Sequence, residues 1–216
     1  MLCKPLVSIL ALVVMCAAIS CTNTPSASTD KTSADSSSTS APATSATTGP
    51  VAAKAAFWEM YKSAHTWAAD LEPLRMESKS IPGIKNADGK AAMWSATFGS
   101  PGKREARVFN YAVTAHAPDI YKGVSVEKPL PWRGPTRDAE TFSTTDFNID
   151  SDAAFKTAMA QASSWVEKHP DKDFSLTLGN AERFPAPVWY VIWGDSKSGY
   201  AVFVDATSGK IVNQKK

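Results

Sequence analysis

The sequence predicts an α+β domain built from two similar units, each with one helix packed on an antiparallel sheet. The stretch AFWEMYKSAHTW, from Ala56 to Trp67, recurs 98 residues later as AFKTAMAQASSW, from Ala154 to Trp165. The stretch from Met93 to Asn110 likewise matches Val188 to Asp205, 95 residues further on. Together these matches predict a tandem duplication, because self-similarity at a nearly fixed spacing is typical of repeated structural units.

Each copy of the first stretch is predicted to be an amphipathic helix, because its apolar residues recur at the spacing of one helix face. These residues are Phe57, Met60, Tyr61, Ala64, Trp67 and Ala68 in the first copy, and Phe155, Ala158, Met159, Ala162, Trp165 and Val166 in the second. Pro50 suits the first turn of the first helix. Asp150 and Asp152 favour the start of the second helix beside them, and Pro170 favours its end.

Each copy of the second stretch is predicted to be a β-hairpin with a further strand before it, at 74–78 and at 174–178. Alternation places Trp94, Ala96 and Phe98, and their counterparts Trp189, Val191 and Trp193, on the face toward the helix. The opposite face carries Ser95 and Thr97 in the first unit but Tyr190 and Ile192 in the second. If the units are duplicates, Trp67 and Trp165 should occupy corresponding places, and so should Trp94 and Trp189.

The N-terminal residues resemble a secretory signal, in which Lys4 precedes an apolar run that is short for a membrane span. The run ends in AAISC, which is similar to the lipobox of bacterial lipoproteins and makes Cys21 the expected site of lipid attachment. An ordinary secretory signal cut near Ser20 is the alternative. The stretch from Thr22 to Gly49 has 16 Ser or Thr among its 28 residues, a composition that favours a disordered tether.

These features divide the chain into five segments: a signal peptide at 1–20, a tether at 21–49, a first unit at 50–113, a connector at 114–148 and a second unit at 149–216. Cys3 and Cys16 leave with the signal, so the exported domain has no disulfide if Cys21 carries lipid. The formal net charge of the chain is +2 and no basic block is present, so nucleic acid is not an expected partner.

The sequence predicts no catalytic residues, no cofactor and no metal site. His65, His116 and His169 lie far apart, and none belongs to an H-E-x-x-H motif. No G-x-S-x-G motif is present either. The run from Asp171 to Glu182 has part of the acidic spacing of a calcium loop, but Leu176 stands where that loop needs glycine. The segment FSLTL inside this run is typical of a strand.

Two tryptophans are candidate contact residues for a partner. Trp132 lies in PLPWRGP, where prolines favour an extended chain between the two units. Its ring either fills the seam between the units or forms an exposed aromatic anchor. Trp58 stands where the second copy has Lys156, so it lies on a polar helix face, either under the connector or in contact with a partner. Tyr190 and Ile192 complete the set of predicted contacts.

The C-terminal unit resembles the PepSY family and related PepSY-like modules, through the stretch VWYVIWGDSKSGYAVFVDATSGKIV. In that family a strand ends in Asp-Ala, here Asp205 and Ala206, a turn carries glycine, here Gly209, and a short apolar strand follows, here at 211–212. The resemblance covers about 65 residues and extends to the first unit only through the internal repeat. It implies one helix on an antiparallel sheet, export, and in some members an action on peptidases.

The sequence therefore favours a lipid-anchored, non-enzymatic module of the cell envelope that binds a protein or peptide. The PepSY resemblance adds the expectation that the module acts on a peptidase. In an organism with an outer membrane, the module would lie on that membrane and face the periplasm. The first alternative is a carrier or sensor of a small apolar ligand held between helix and sheet. The second alternative is an enzyme with a site that the motifs do not reveal.

Overall fold

The computed structural model describes residues 49–195 and 198–213, which form the predicted α+β fold. Its helices are α1, Ala53–Trp67, and α2, Ser151–Lys168, and a short 3-10 turn spans Thr144–Asp146. Its strands are β1 Glu72–Lys79, β2 Met93–Ser100, β3 Glu105–Ala112, β4 Gly123–Val126, β5 Leu130–Pro131, β6 Phe174–Gly179, β7 Val188–Trp193 and β8 Tyr200–Asp205. Each half of the domain thus contributes a helix followed by three strands, as the repeat predicts.

The two halves share one antiparallel sheet, with the strand order β4-β3-β2-β1-β6-β7-β8 and with β5 paired to β3. The seam between the halves is the antiparallel pair of β1 and β6, in which Arg75 lies opposite Gly179 and Met76 opposite Leu178. The sequence predicted the strands on either side of this seam but not that they would join. Both helices pack against the same sheet, α1 on β2 and β3, and α2 on β7 and β8.

The residues assigned to the helix-facing side of the sheet form the core. Trp94, Phe98, Trp189, Val191 and Trp193 are each at most 2% exposed. The Trp94 and Trp189 rings meet edge to face, with centroids 6.3 Å apart. Burial of these large apolar side chains stabilises the domain.

The core tryptophans Trp94 and Trp189 occupy corresponding places in the two halves. The indole N–H of Trp94 donates to the Val51 carbonyl at 3.0 Å, and that of Trp189 donates to the Ile149 carbonyl at 2.9 Å. Each acceptor lies two residues before the first residue of its helix. The second pair corresponds less closely: Trp67 packs against Phe109 of β3, whereas Trp165 packs against Tyr200 of β8, which aligns with Glu105 and not with Phe109.

Residues of the second unit cap the first helix. The Ala53 N–H donates to Ser151 Oγ and the Lys54 N–H donates to Asp150 Oδ1, both at 2.9 Å. The same Asp150 oxygen accepts from the Ser151 N–H, so it serves both helices, whereas Ala52 gives α1 no side-chain cap. The expectation that Pro50 would lie in the first turn of α1 is therefore wrong, because these caps fix the start of the helix at Ala53.

The connector is more ordered than an extended linker. Its strands β4 and β5 pair with β3, and the Trp132 N–H donates to the Arg104 carbonyl at 2.9 Å. Further on, the Glu140 N–H donates to the Asn180 carbonyl and the Phe142 N–H to the Pro73 carbonyl, both at 3.0 Å. The connector therefore passes from the edge of the first unit to the second unit across one end of the sheet.

Candidate functional site: a groove at the seam

A groove of about 460 Å³ lies on the face of the sheet opposite the helices, above the seam between β1 and β6. We call it the seam groove. Its walls come from the connector on one side and from the second unit on the other. Its residues include three of the four predicted partner contacts, which are Trp132, Tyr190 and Ile192.

The floor of the seam groove includes four small residues on both sides of the longer Arg75 side chain. Thr97, Ala106, Thr177 and Gly179 line it. Thr97 and Gly179 both lie opposite Arg75, on neighbouring strands of one row across the sheet. Side chains of this size leave depth between taller neighbours, because residues of one row point to the same face. The small residues on β2, β3 and β6 thus leave depth on the outer face, with Arg75 among them.

Trp132 forms the connector wall together with Leu130 and Pro131. Its ring lies directly on the backbone of β2, since a Cβ added to Gly99 would come within 2.8 Å of it. A second cavity, of about 500 Å³, borders the same side chain and is also lined by Arg104. Trp132 is only half-buried, and it is not part of the hydrophobic clusters of the described residues. Trp132 therefore packs on β2 and keeps accessible surface, and its role as a partner contact stays a prediction.

Tyr190 and Ile192 form the opposite wall. Tyr190 packs edge to face against Phe184 and Phe203, with ring centroids 5.8 and 5.2 Å away. Its hydroxyl accepts a hydrogen bond from Arg183 at 3.1 Å. Tyr190 is therefore held in a small apolar cluster of its own on the outer face, whereas Ile192 is half-buried beside it. The Tyr190 ring is part of the fold as well as of the groove.

Three charged side chains also line the groove: Arg75, Arg183 and Asp138. Arg75 pairs with Glu77 at 3.1 Å, and Glu77 also pairs with Lys79. Burial raises the pKa of the Glu77 carboxyl, but the hydrogen bond and charge of Lys79 and the charge of Arg75 outweigh it, and the pKa is lowered. Glu77 therefore stays ionised beside the groove.

Sequence reasoning placed Thr97 on the outer face but did not identify the two arginines or the other floor residues. Alternation within β6 could have placed Thr177 and Gly179 on the outer face. The position of Arg183, by contrast, depends on a loop and on its contact with Tyr190.

The remaining predicted contacts lie elsewhere. Trp58 is 44% exposed on α1, where its ring meets Phe57 and Tyr61 edge to face. It belongs to the helix layer and does not line the groove. Cys21, the predicted site of lipid attachment, lies outside the described residues.

The histidines do not converge on a site. His65 is exposed and neighbours Tyr61, His116 lies in a loop, and His169 Nδ1 is 2.8 Å from the Trp165 carbonyl. Within 49–195 and 198–213 no group of three or more His, Cys, Asp or Glu side chains could hold a metal ion. The run considered as a calcium loop contains strand β6.

The layer between helices and sheet is filled by side chains. Phe57, Met60, Met76, Trp94 and Trp189 meet there and are each at most 1% exposed. A small ligand held between helix and sheet, as the first alternative required, therefore finds this layer already occupied. None of the helices in the described part of the chain has the length and apolar character needed to cross a bilayer.

Comparison with known proteins adds little to this geometry. No protein-family model matches the chain, and no curated protein matches it. Among solved structures, a protein of Clostridium difficile 630 described as a "putative lipoprotein" is similar, with 9% identity, a TM-score of 0.45, and coverage of 78% of this chain and 93% of that one. At this score the likeness carries no argument about function. The PepSY resemblance thus rests on the residues of the C-terminal unit alone.

Proposed function

We propose that the chain is a lipid-anchored, non-enzymatic module of the cell envelope that binds a protein or peptide in the seam groove. The observation that supports this most is that Trp132 of the connector lines the same groove as Tyr190 and Ile192, the pair predicted on the outer face of the second unit. Its volume lies within the range of about 300–1,000 Å³ that binding sites occupy. If the PepSY resemblance extends to function, the bound segment belongs to a peptidase.

The lining of the groove suits recognition by contact. Trp132 combines a large ring with accessible surface, and tryptophan is among the residues that dominate binding energy at interfaces. Leu130 beside it is 57% exposed, which leaves an apolar wall open to a partner. A small apolar ligand in the same groove is the second candidate function, since the volume also accommodates one.

The proposed anchor is lipid on Cys21, which places the domain at a membrane surface with the tether between them. In an organism with an outer membrane, the proposal places it there, facing the periplasm. The support comes from AAISC and from the Ser/Thr-rich stretch that follows it. A palmitate analogue should label the wild-type chain and leave the Cys21→Ala variant unlabelled.

Protection of a single cysteine in the groove tests the proposed contact. Once the signal is removed, Cys21 is the remaining cysteine, so Thr97→Cys adds one reactive thiol to the groove floor. We expect maleimide to label this thiol several-fold more slowly in native envelope membranes than in purified protein, because the partner covers it. Lys156→Cys, exposed on α2, is the control and should react at equal rates in both. Equal rates at position 97 as well would rule out occupancy of the groove by a partner.

A further inference from the structure

We infer that the seam groove binds an acidic peptide segment that carries an aromatic or large aliphatic side chain. This inference rests on the proposed function and specifies the chemistry of the partner. Two features of the groove carry it: on one wall, a tryptophan ring that no aromatic ring of the described residues contacts, and on the other wall, a fixed arginine with a weakly held carboxylate partner.

The aromatic feature is Trp132. Among the described residues no aromatic ring pairs with Trp132, whereas Tyr190 on the facing wall pairs with two. One part of the Trp132 ring rests on Gly99, and the groove borders the side chain. An aromatic or large aliphatic side chain of a ligand would meet Trp132 on one wall and Ile192 on the other. Stacking and apolar burial would then stabilise the complex.

The charged feature is Arg183. Its guanidinium donates to the Tyr190 hydroxyl at 3.1 Å and lies 5.3 Å from the Phe184 ring centroid. Its ion pair with Asp138 is long, at 3.8 Å, and the Asp138 side chain is 92% exposed. The arginine is therefore held in place while its carboxylate partner is held weakly. A carboxylate of a ligand could displace Asp138 and gain a charge-assisted hydrogen bond without ordering a flexible side chain.

The charge of the lining supports the same conclusion. Arg75 and Arg183 line the groove with Asp138, and the Glu77 carboxylate beside the groove pairs with both Arg75 and Lys79. These three cations face two carboxylates. Arg75 is also 57% exposed, so a ligand can approach it. The lining is thus net positive, which favours acidic segments over basic ones.

The tether of the same chain does not fit as the occupant. The stretch from Thr22 to Gly49 contains Asp30 and Asp35 but no aromatic residue and no Val, Leu, Ile or Met. It could offer a carboxylate to Arg183, but it has no side chain that fills the space between Trp132 and Ile192. The occupant is therefore a segment of another protein.

Synthetic peptides with a fluorescent label test the inference with the full mature chain. The probe Ser-Asp-Phe-Asp-Ser should bind with a measurable Kd, and both Ser-Lys-Phe-Lys-Ser and Ser-Asp-Ala-Asp-Ser should bind about tenfold more weakly. The variants Arg183→Gln and Trp132→Ala should each weaken binding of the first probe by about tenfold, since each removes one of the two contacts. Lys156→Gln, on α2, is the matched control and should change nothing. Melting temperatures show whether each variant is folded.

The outcomes separate the inference from the proposed function. If the lysine peptide binds as tightly as the acidic one, and both depend on Trp132, the groove binds peptides but the acidic preference is wrong. Absence of binding by the acidic probe up to about 1 mM overturns the inference. If a neutral oligosaccharide such as cellohexaose binds in a Trp132-dependent manner while no peptide does, both the inference and the proposed function are wrong.

Discussion

Replacement of Gly89 by alanine should lower the free energy of unfolding by about 2–5 kcal/mol. Alanine is strained in the left-handed backbone conformation of this residue, and its Cβ would also clash with neighbouring backbone atoms. Gly89 lies in the loop between β1 and β2 with φ of +74°. A Cβ there would lie 2.5 Å from the Ser151 carbonyl oxygen and 2.6 Å from the Asp152 Cα. The loop of the first unit thus contacts the first turn of α2 through a position that only glycine fits. Chemical denaturation measures the effect.

Gly83 is the matched control, because it has φ of +81° but nothing within 4 Å of an added Cβ. Gly83→Ala should cost only the backbone part, about 1–2 kcal/mol. If both variants lower the free energy of unfolding by the same amount, the loop does not pack closely on α2 at Gly89.

Trp94→Ala and Trp189→Ala should each destabilise the domain by about 3–5 kcal/mol, since each leaves a large cavity in the core. Each change also leaves a backbone carbonyl without its indole donor, at Val51 for Trp94 and at Ile149 for Trp189. Because the two rings occupy corresponding places, the two losses should be similar. Thermal and chemical unfolding of the single variants measures them.

Trp58→Ala is the control for the tryptophan variants. Trp58 is 44% exposed, and its replacement should cost less than the loss of either buried ring. A large effect at one core tryptophan and a small effect at the other would contradict the correspondence between the two units.

The helices and hairpins were predictable because their periodicity is local. In β7, for example, Trp189, Val191 and Trp193 alternate with Tyr190 and Ile192, and the structure buries the first set in the core. Asp150 correctly predicted where α2 begins, because an N-cap residue lies directly before its helix in the sequence.

The shared sheet and the start of α1 were not predictable in this way. The seam between β1 and β6 consists of main-chain pairing between residues about 100 positions apart, such as Arg75 and Gly179, and this pairing leaves no pattern in the sequence. The start of α1 likewise depends on Ser151 and Asp150, which reach it only in the folded domain. Both features depend on contacts between the units.

Parts of the candidate site were also predictable from the sequence, and parts were not. Alternation in the sequence predicted Tyr190 and Ile192 together on the outer face, and Trp132 was identified separately in the connector. Trp132 lies across the groove from this pair because of the order of strands in the sheet and the path of the connector. Neither of these can be predicted from the sequence. Arg183 was missed because its role follows from its contact with Tyr190 in the folded structure.

Site-specific photo-crosslinking in native envelope membranes tests the central claim most directly. Benzoylphenylalanine is placed in turn at Trp132, at Ile192 and at Trp58, and the covalent adducts are resolved by mass. Adducts of the same mass from positions 132 and 192, and none from position 58, are the result that binding in the seam groove predicts. An adduct from position 58 with none from either groove position would contradict it.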